Sequence, residues 1–192
     1  MNKIEEKILE LALKQASSVE VLYEEGETRS VSFENNKLKY VTTKSIRGIG
    51  LRVIKDGRIG FSSTTDFRKP EKLVANAIES AKFGQVAAFD FPSKNNFPKV
   101  AVLDQRVIDY PINKCVDIGK EAIDKALTVN SSYECGVGFG KGYGMRRLIN
   151  SKGLDISIAS TSFGIGIEIL QVKGQSLLWI GEGEGSKSLV TD

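Results

Sequence analysis

The chain begins with charged and apolar residues at the spacing of a helix. Between residues 2 and 16 the apolar positions that share one helical face include Ile4, Ile8, Leu11 and Ala12, with glutamate and lysine between them. Side chains three or four residues apart lie on one face of an α-helix, so the pattern predicts an amphipathic helix.

After this helix the apolar period changes to two, which is the period of a β-strand. The alternating apolar positions are Val19, Val21, Tyr23, Val31 and Phe33. Asn35 and Asn36 follow, and asparagine tolerates the positive φ that a tight hairpin turn requires. We therefore expect a hairpin whose second strand starts near Leu38.

A second hairpin is predicted in the segment GIGLRVIKDGRIGFSS, with Asp56-Gly57 at its turn. The positions that share its apolar face are Ile49, Leu51 and Val53. Arg52 must then point to the opposite face, because successive strand residues alternate. Pro70 suits the first turn of a following helix, which should stop near Gly84.

The second half of the chain repeats this order of elements. Residues 87–105 contain two prolines and no sustained period, so they are predicted to be a connector. A helical pattern begins after Pro111, and strand alternation resumes at Tyr133.

Turn and glycine signals recur in the two halves at nearly one offset. The matched segments are 35–37 with 150–152 at an offset of 115, 48–53 with 164–169 at 116, and 56–57 with 173–174 at 117. This repeat pairs Asn35 with Asn150 and Gly48 with Gly164, and it indicates an internal duplication. We predict an α+β fold in which a helix plus antiparallel β-meander occurs twice, in halves of about 1–86 and 106–192.

The first half ends in a helix, so the duplication predicts a counterpart that begins near residue 187. The chain ends at Asp192, where that helix would be starting. Either the second repeat lost this helix, or residues 1–192 are the N-terminal domain of a longer polypeptide whose C-terminal domain is missing from this chain. The polar tail GEGEGSKSLVTD favours the second interpretation.

Composition favours a cytoplasmic protein that makes no membrane contact. The chain is 41% hydrophobic, which is enough for a substantial core, and no window approaches the roughly 18 apolar residues of a membrane span. The N-terminus lacks the apolar region of a secretory signal. Cys115 and Cys135 lack the spacing of a metal or redox motif and are predicted to be buried, reduced thiols.

The charge pattern disfavours a nucleic-acid partner. The net charge is only +3, with 27 basic and 24 acidic residues interleaved along the chain. Arg146 and Arg147 are adjacent, and a strand would point them to opposite faces, which weakens the case for a phosphate-binding stripe.

No catalytic residue and no metal site are predicted. The chain has no histidine, which excludes histidine-activated nucleophiles and imidazole zinc ligands. Glu182 and Glu184 would share a strand face, but next to a chain end a solvated strand edge explains them better than catalysis does. A run of alternating glycines lacks the spacing of a phosphate loop and indicates close backbone approach or a bent hairpin: Gly136, Gly138, Gly140, Gly142 and Gly144.

The candidate binding residues lie in the first glycine hairpin. They are Arg47, Gly48, Gly50, Arg52 and Arg58. The arginines could hold a peptide carboxylate or a partner subunit by bidentate hydrogen bonds. The alternative, that they are surface charges opposite the apolar face of the hairpin, stays open.

The segments RGIGLRVIKDGRIGF and LINSKGLDISIASTSFGIGIEIL resemble the N-terminal domain of the TldD/PmbA family, once called modulators of DNA gyrase. The marks of the resemblance are an Asn-rich turn, the RGxGxRV segment, a DGRxGF hairpin, a following helix and a second meander. Together they extend over most of residues 18–185.

The resemblance implies a cytoplasmic zinc metallopeptidase complex that processes or degrades peptides and unfolded polypeptides. In that family the zinc motif HExxxH lies in the C-terminal domain of the TldD-type subunit, and the PmbA-type partner lacks it. No residue here matches the motif, so the chain is expected to be non-catalytic. It would channel an extended substrate and contact a TldD- or PmbA-type subunit, or a second copy. Which kind of subunit the parent protein is stays open.

Two other functions remain as alternatives. The chain could be a free-standing binding or scaffold protein whose β-strand edges recruit a partner. A DNA gyrase-associated or nucleic-acid-binding factor is a weaker alternative, which rests on the old family name and the mild positive charge. The length of the parent reading frame separates the first alternative from the metallopeptidase domain.

Overall fold

A computed structural model describes residues 4–190 and shows the predicted α+β fold. The helices are α1 Ile4–Leu13, α2 Pro70–Ala81, α3 Gln105–Asp109 and α4 Ile112–Val129. The strands are β1 Ser18–Glu34, β2 Lys37–Lys55, β3 Arg58–Thr64, β4 Glu134–Asn150, β5 Asp155–Lys173 and β6 Ser176–Ser186. They form a sheet in the order β3-β2-β1-β4-β5-β6, in which β2 pairs with β3 and β5 with β6 in antiparallel register.

The two hairpin turns of the first half are confirmed. Asn35 and Asn36 have φ of 49° and 65°, and Asp56 and Gly57 have φ of 50° and 72°. All four residues lie in the left-handed region, which is the backbone geometry of a two-residue turn between twisted strands. Asparagine, aspartate and glycine adopt this region most readily, so the turn positions follow from the local sequence.

The remaining elements agree with the predicted order, with one addition. α3 was not predicted; it is a five-residue helix at the end of the connector, where the Asp104 carboxylate accepts a hydrogen bond from the Arg106 amide. The sequence α1-β1-β2-β3 is followed later by α4-β4-β5-β6, and β1 and β4 are neighbours in the middle of the sheet. This order agrees with an internal duplication, while superposition of the two halves stays a prediction.

The chain divides into two compact units that do not follow one another along the sequence. The first unit takes the described residues up to Glu25, together with Ile46–Val100 and Met145–Ile158. In it α1 and α2 cover an apolar strand face, and buried members of this core include Ile8, Val19, Val21, Ile49, Leu51, Leu73 and Val74. α2 packs directly on β3 at Gly60. A Cβ at this position would overlap the carbonyl oxygen of Ala77 in α2, so glycine permits the close contact.

The second unit takes Gly26–Ser45, Ala101–Gly144 and the described residues from Ala159 onward. In it α4 packs on the strands around a core that includes Val31, Phe33, Val107, Cys115, Ile123, Cys135, Val137 and Phe139. Both cysteines are free and buried, which confirms the prediction of buried, reduced thiols. None of the helices among residues 4–190 is long and apolar enough to cross a membrane.

Candidate functional site

Arg47 lies in β2 beside aromatic side chains of the first unit. Its Nε donates a hydrogen bond to the Tyr23 hydroxyl at 3.0 Å, and its guanidinium lies 4.7 Å from the centre of the Phe67 ring. The side chain is nevertheless 64% exposed. Arg47 therefore packs at the rim of the core and still presents donor groups to solvent.

Arg52 lies on the strand face opposite Ile49 and Leu51, as predicted, and it has a partner there. Its guanidinium donates a hydrogen bond to the Glu20 carboxylate, which is only 10% exposed. It also lies 5.2 Å from the centre of the Phe91 ring, in the connector. These contacts give Arg52 a structural role in addition to any role in binding.

Next to Arg52, the connector is held in place within the first unit at several points. Ser18 Oγ donates to the Asp90 carboxylate at 3.1 Å, and Lys152 forms an ion pair with Asp90 at 2.8 Å. The Lys152 ammonium, first among several donors, lowers the pKa of Asp90. The Asn150 side-chain amide also donates to the Pro92 carbonyl at 2.8 Å. The connector thus covers part of the strand face on which Arg52 lies.

The other predicted binding residues do not meet Arg52 in one pocket. Arg58 donates to the Gly84 carbonyl at 2.8 Å, just beyond α2. Gly48 and Gly50 are partly exposed in β2, and a Cβ at Gly50 would touch the Phe61 ring at 3.6 Å. The three arginines have separate partners within the chain, so their joint role in binding stays a prediction.

β2 presents a long open edge, most of which lies in the second unit. β3 pairs with β2 only from Ile49 to Lys55, so residues 37–48 have no described strand on that side. Residues 37–47 are all exposed. The exposed apolar side chains there are Leu38, Tyr40, Val41 and Ile46. Backbone groups on such an edge are free to pair with another extended chain.

β6 presents the opposite edge of the sheet. It is the last strand in the sheet order, and ten of its eleven residues are exposed. The large apolar side chains on it are Leu177 at 68%, Leu178 at 44%, Trp179 at 62% and Ile180 at 53% exposed. Four consecutive apolar residues on an open edge are unusual, because such edges pair readily with other strands.

A shallow groove of about 420 Å³ lies on the sheet between β1 and β6. Its glycines include Gly136, Gly138, Gly166 and Gly181, so backbone forms much of its floor. Side chains that extend over this floor are Glu168, above Gly136, and Trp179, above Gly181. Among residues 4–190, nothing lies within 4 Å of the Cβ positions of Gly138 and Gly140, so these glycines leave backbone open on one face of the sheet and do not mark the predicted close backbone approach.

Arg147 is a buried charge whose structural role was not predicted. Its side chain is 8% exposed and forms ion pairs with Glu6 at 3.0 Å, Asp155 at 2.8 Å and Glu5 at 3.5 Å. These carboxylates, Asp155 first, raise the pKa of Arg147 above its ordinary value. Period-two alternation could have indicated this position, since Arg147 lies between Met145 and Ile149 on the buried strand face.

Lys141 is a second buried cation, on the strand face of Val137 and Phe139. Its Nζ donates hydrogen bonds to the carbonyls of Val107, Ile108 and Tyr110, at the end of α3. Burial lowers the pKa of Lys141. All three ammonium donors are used inside the chain, so Lys141 is a helix cap and is not available to a ligand.

The residues present do not fit a zinc site. The chain has no histidine, and residues 4–190 contain no group of three or more acidic or cysteine side chains that could hold a metal ion. Burial raises the pKa of the Cys115 thiol to about 11, which disfavours the thiolate that zinc requires. No chemical step can therefore be assigned to a metal held by these residues.

The sequence matches a known family and one curated relative. Residues 19–81 match the model of PmbA/TldA metallopeptidase domain 1. An uncharacterised protein of Methanocaldococcus jannaschii is 30% identical over 165 residues, which is 86% of this chain and 39% of that protein. The chain therefore spans less than half the length of this relative.

Solved structures show the same fold. TldE from Thermococcus kodakarensis is 19% identical with a TM-score of 0.80, over 96% of this chain and 43% of that one. A proposed modulator of DNA gyrase from Bacteroides thetaiotaomicron is 19% identical with a TM-score of 0.86, over 97% of this chain and 45% of that one. At this identity the comparison establishes the fold alone.

Proposed function

Since this chain carries the N-terminal domain of the TldD/PmbA family, we propose that it is a non-catalytic part of a cytoplasmic metallopeptidase complex. In this proposal the domain receives extended polypeptide and guides it toward a zinc site held elsewhere in the complex. It also contacts a TldD- or PmbA-type subunit or a second copy.

The observation that carries the proposal is the pair of open strand edges, residues 37–48 of β2 and all of β6. An extended chain can add to such an edge through main-chain hydrogen bonds, which make little demand on its sequence. A domain that handles many polypeptides needs this kind of recognition. The glycine floor beside Gly138 and Gly166 adds open backbone next to β6.

Binding to an unfolded polypeptide tests the proposal. A polypeptide that is fluorescently labelled, reduced and carboxymethylated stays extended. Its fluorescence anisotropy should rise when the chain is added. The same polypeptide with its disulfides intact is folded and should bind at least about tenfold more weakly, since it offers no free strand. Equal binding of the folded and unfolded forms, or no binding of either, would contradict the proposal.

The non-catalytic part of the proposal has its own test. We expect the purified chain to bind no stoichiometric zinc and to hydrolyse no peptide, because histidine is absent and its thiols are buried. Elemental analysis and a peptidase assay after repeated purification check this. Zinc near one equivalent, or activity that survives repurification, would show that the site assignment is wrong.

A further inference from the structure

The apolar part of the β6 edge, residues 177–180, lacks the features that normally keep an open edge from pairing. Such edges usually carry lysine, proline or a bulge. The sequence of β6, SLLWIGEGEGS, contains no basic residue and no proline, and its register with β5 runs from Ser176 to Ser186 without interruption. The strand is therefore regular, and no strand among residues 4–190 pairs with its outer edge.

The register with β5 defines the side chains on each face of β6. Glu182 and Glu184 lie opposite Ile167 and Ile165, which pack against the core beneath α4. The two carboxylates are therefore on the α4 face, two residues apart. Neither has an ion pair or hydrogen bond with any of residues 4–190, and both are exposed. Directly opposite positions in an added strand would favour lysine or arginine.

The other face of β6 is nearly bare. Beyond Leu177 and Trp179 it carries only Gly181, Gly183 and Gly185, and the Trp179 ring lies 3.3 Å from where a Cβ of Gly181 would be. An aromatic ring thus already covers one glycine of this strand. Large or aromatic side chains in an added strand could cover the others in the same way, since cross-strand aromatic residues stabilise edge glycines.

We propose that β6 is a docking strand for an extended polypeptide that carries basic residues at alternate positions and large or aromatic residues between them. The basic side chains pair with Glu182 and Glu184, and the large ones lie over Gly183 and Gly185. An apolar continuation of the same segment packs on Leu178 and Ile180. This inference rests on the proposed function and names the class of polypeptide that its β6 edge selects.

Trp179 makes the docking measurable, because it is the only tryptophan of the chain and lies on β6. The probe is a ten-residue peptide without tryptophan, with lysine at two alternate positions, phenylalanine between them and a valine-leucine end. The matched peptide has glutamate in place of both lysines. We expect the lysine peptide to shift Trp179 emission to shorter wavelength and to bind about 5-fold or more tighter than the glutamate peptide.

Charge-removing variants identify the site. The double variant Glu182→Gln and Glu184→Gln should bind the lysine peptide about 3- to 10-fold more weakly, which is the effect expected from the loss of two exposed ion pairs. The matched control, Glu10→Gln with Glu134→Gln, removes two exposed carboxylates outside β6 and should leave the affinity unchanged. Circular dichroism confirms that both double variants are folded.

Each other outcome overturns the inference in a distinguishable way. Binding of the lysine peptide without a change in Trp179 emission, or equal binding of both peptides, would place recognition elsewhere and leave the proposed function standing. A shift that depends on protein concentration without peptide would identify a second copy as the occupant of β6. Failure of both peptides and of the unfolded polypeptide would remove the proposed function as well.

Discussion

Arg146 and Arg147 are adjacent in β4 and have opposite surroundings. Arg146 is 64% exposed and pairs with Glu24 at 2.8 Å, whereas Arg147 is 8% exposed among three carboxylates. A buried cation is tolerated only where paired groups replace its hydration. The carboxylates, Asp155 first, also raise the pKa of Arg147 above its ordinary value.

The two arginines provide a matched pair of substitutions. Arg147→Ala should lower the free energy of unfolding by about 3 kcal/mol or more, because it leaves the buried Glu5 carboxylate without its cation. Arg146→Ala removes an exposed pair and should cost less than about 1 kcal/mol. Urea denaturation measures both. Equal losses would mean that the Arg147 cluster does not stabilise the fold.

Arg52 should also contribute to stability through its contact with Glu20. Removing the guanidinium leaves the Glu20 carboxylate, 10% exposed, without its hydrogen-bond donor. We expect a loss of about 1–3 kcal/mol. Adding Glu20→Gln removes the unpaired charge and should restore part of the loss. If Arg52→Ala leaves the free energy of unfolding unchanged, Arg52 is a surface charge, as in the alternative interpretation of the sequence.

Glycines serve two different purposes in the strands. Gly60 brings β3 against α2 so closely that a Cβ would overlap the Ala77 carbonyl. Gly138, in contrast, has nothing within 4 Å of its Cβ position. The first glycine is required for packing between a helix and a strand, and the second leaves a surface open.

Alanine at these two glycines distinguishes the purposes. Gly60→Ala should destabilise the chain by about 2 kcal/mol or more, since backbone atoms must move apart. Gly138→Ala should be neutral or stabilising by up to about 1 kcal/mol, because it only restricts the unfolded chain. Thermal unfolding of both variants checks this. A large loss of stability in Gly138→Ala would show that other atoms of the protein occupy the space above Gly138.

α3 is a five-residue helix that depends on contacts outside itself. Asp104 caps it through the Arg106 amide and also accepts a hydrogen bond from the Leu189 amide at 3.0 Å. Hydrogen bonds from the Arg106 side chain, and then from the Leu189 amide, hold the pKa of Asp104 well below its ordinary value. A helix this short forms only with such support, which explains why its sequence alone did not predict it.

The Asp104 contacts should make stability depend on pH. A carboxyl with a depressed folded pKa adds stability that is complete above its unfolded pKa of about 4 and is lost as the pH falls toward the folded value. Asp104→Asn should therefore lower the melting temperature at pH 7, and the difference from wild type should shrink below about pH 4. Asp117→Asn, at an exposed site, is the control. A difference that is the same at pH 7 and pH 3 would contradict this.

At the scale of the whole molecule, local patterns predicted the elements, and long-range pairs escaped prediction. The turns at Asn35 and Asp56 follow from the φ preferences of two adjacent residues. The Arg147 pair with Glu5 joins residues 142 positions apart, and Arg52 with Glu20 joins residues 32 apart. No periodicity within one element contains such information. Which strands lie at the open edges likewise depends on the strand order of the sheet, and the apolar pattern of a single strand does not predict that order.

The central claim is that the open edges of β2 and β6 receive extended polypeptide, and amide hydrogen exchange tests it directly. With an unfolded, carboxymethylated polypeptide bound, exchange should slow in residues 37–47, in 176–186, or in both. Only alternate amides should slow, since the others already pair within the sheet. Amides of α4, residues 112–129, should be unchanged. Protection confined to helices, or binding without protection in either strand, would contradict the account.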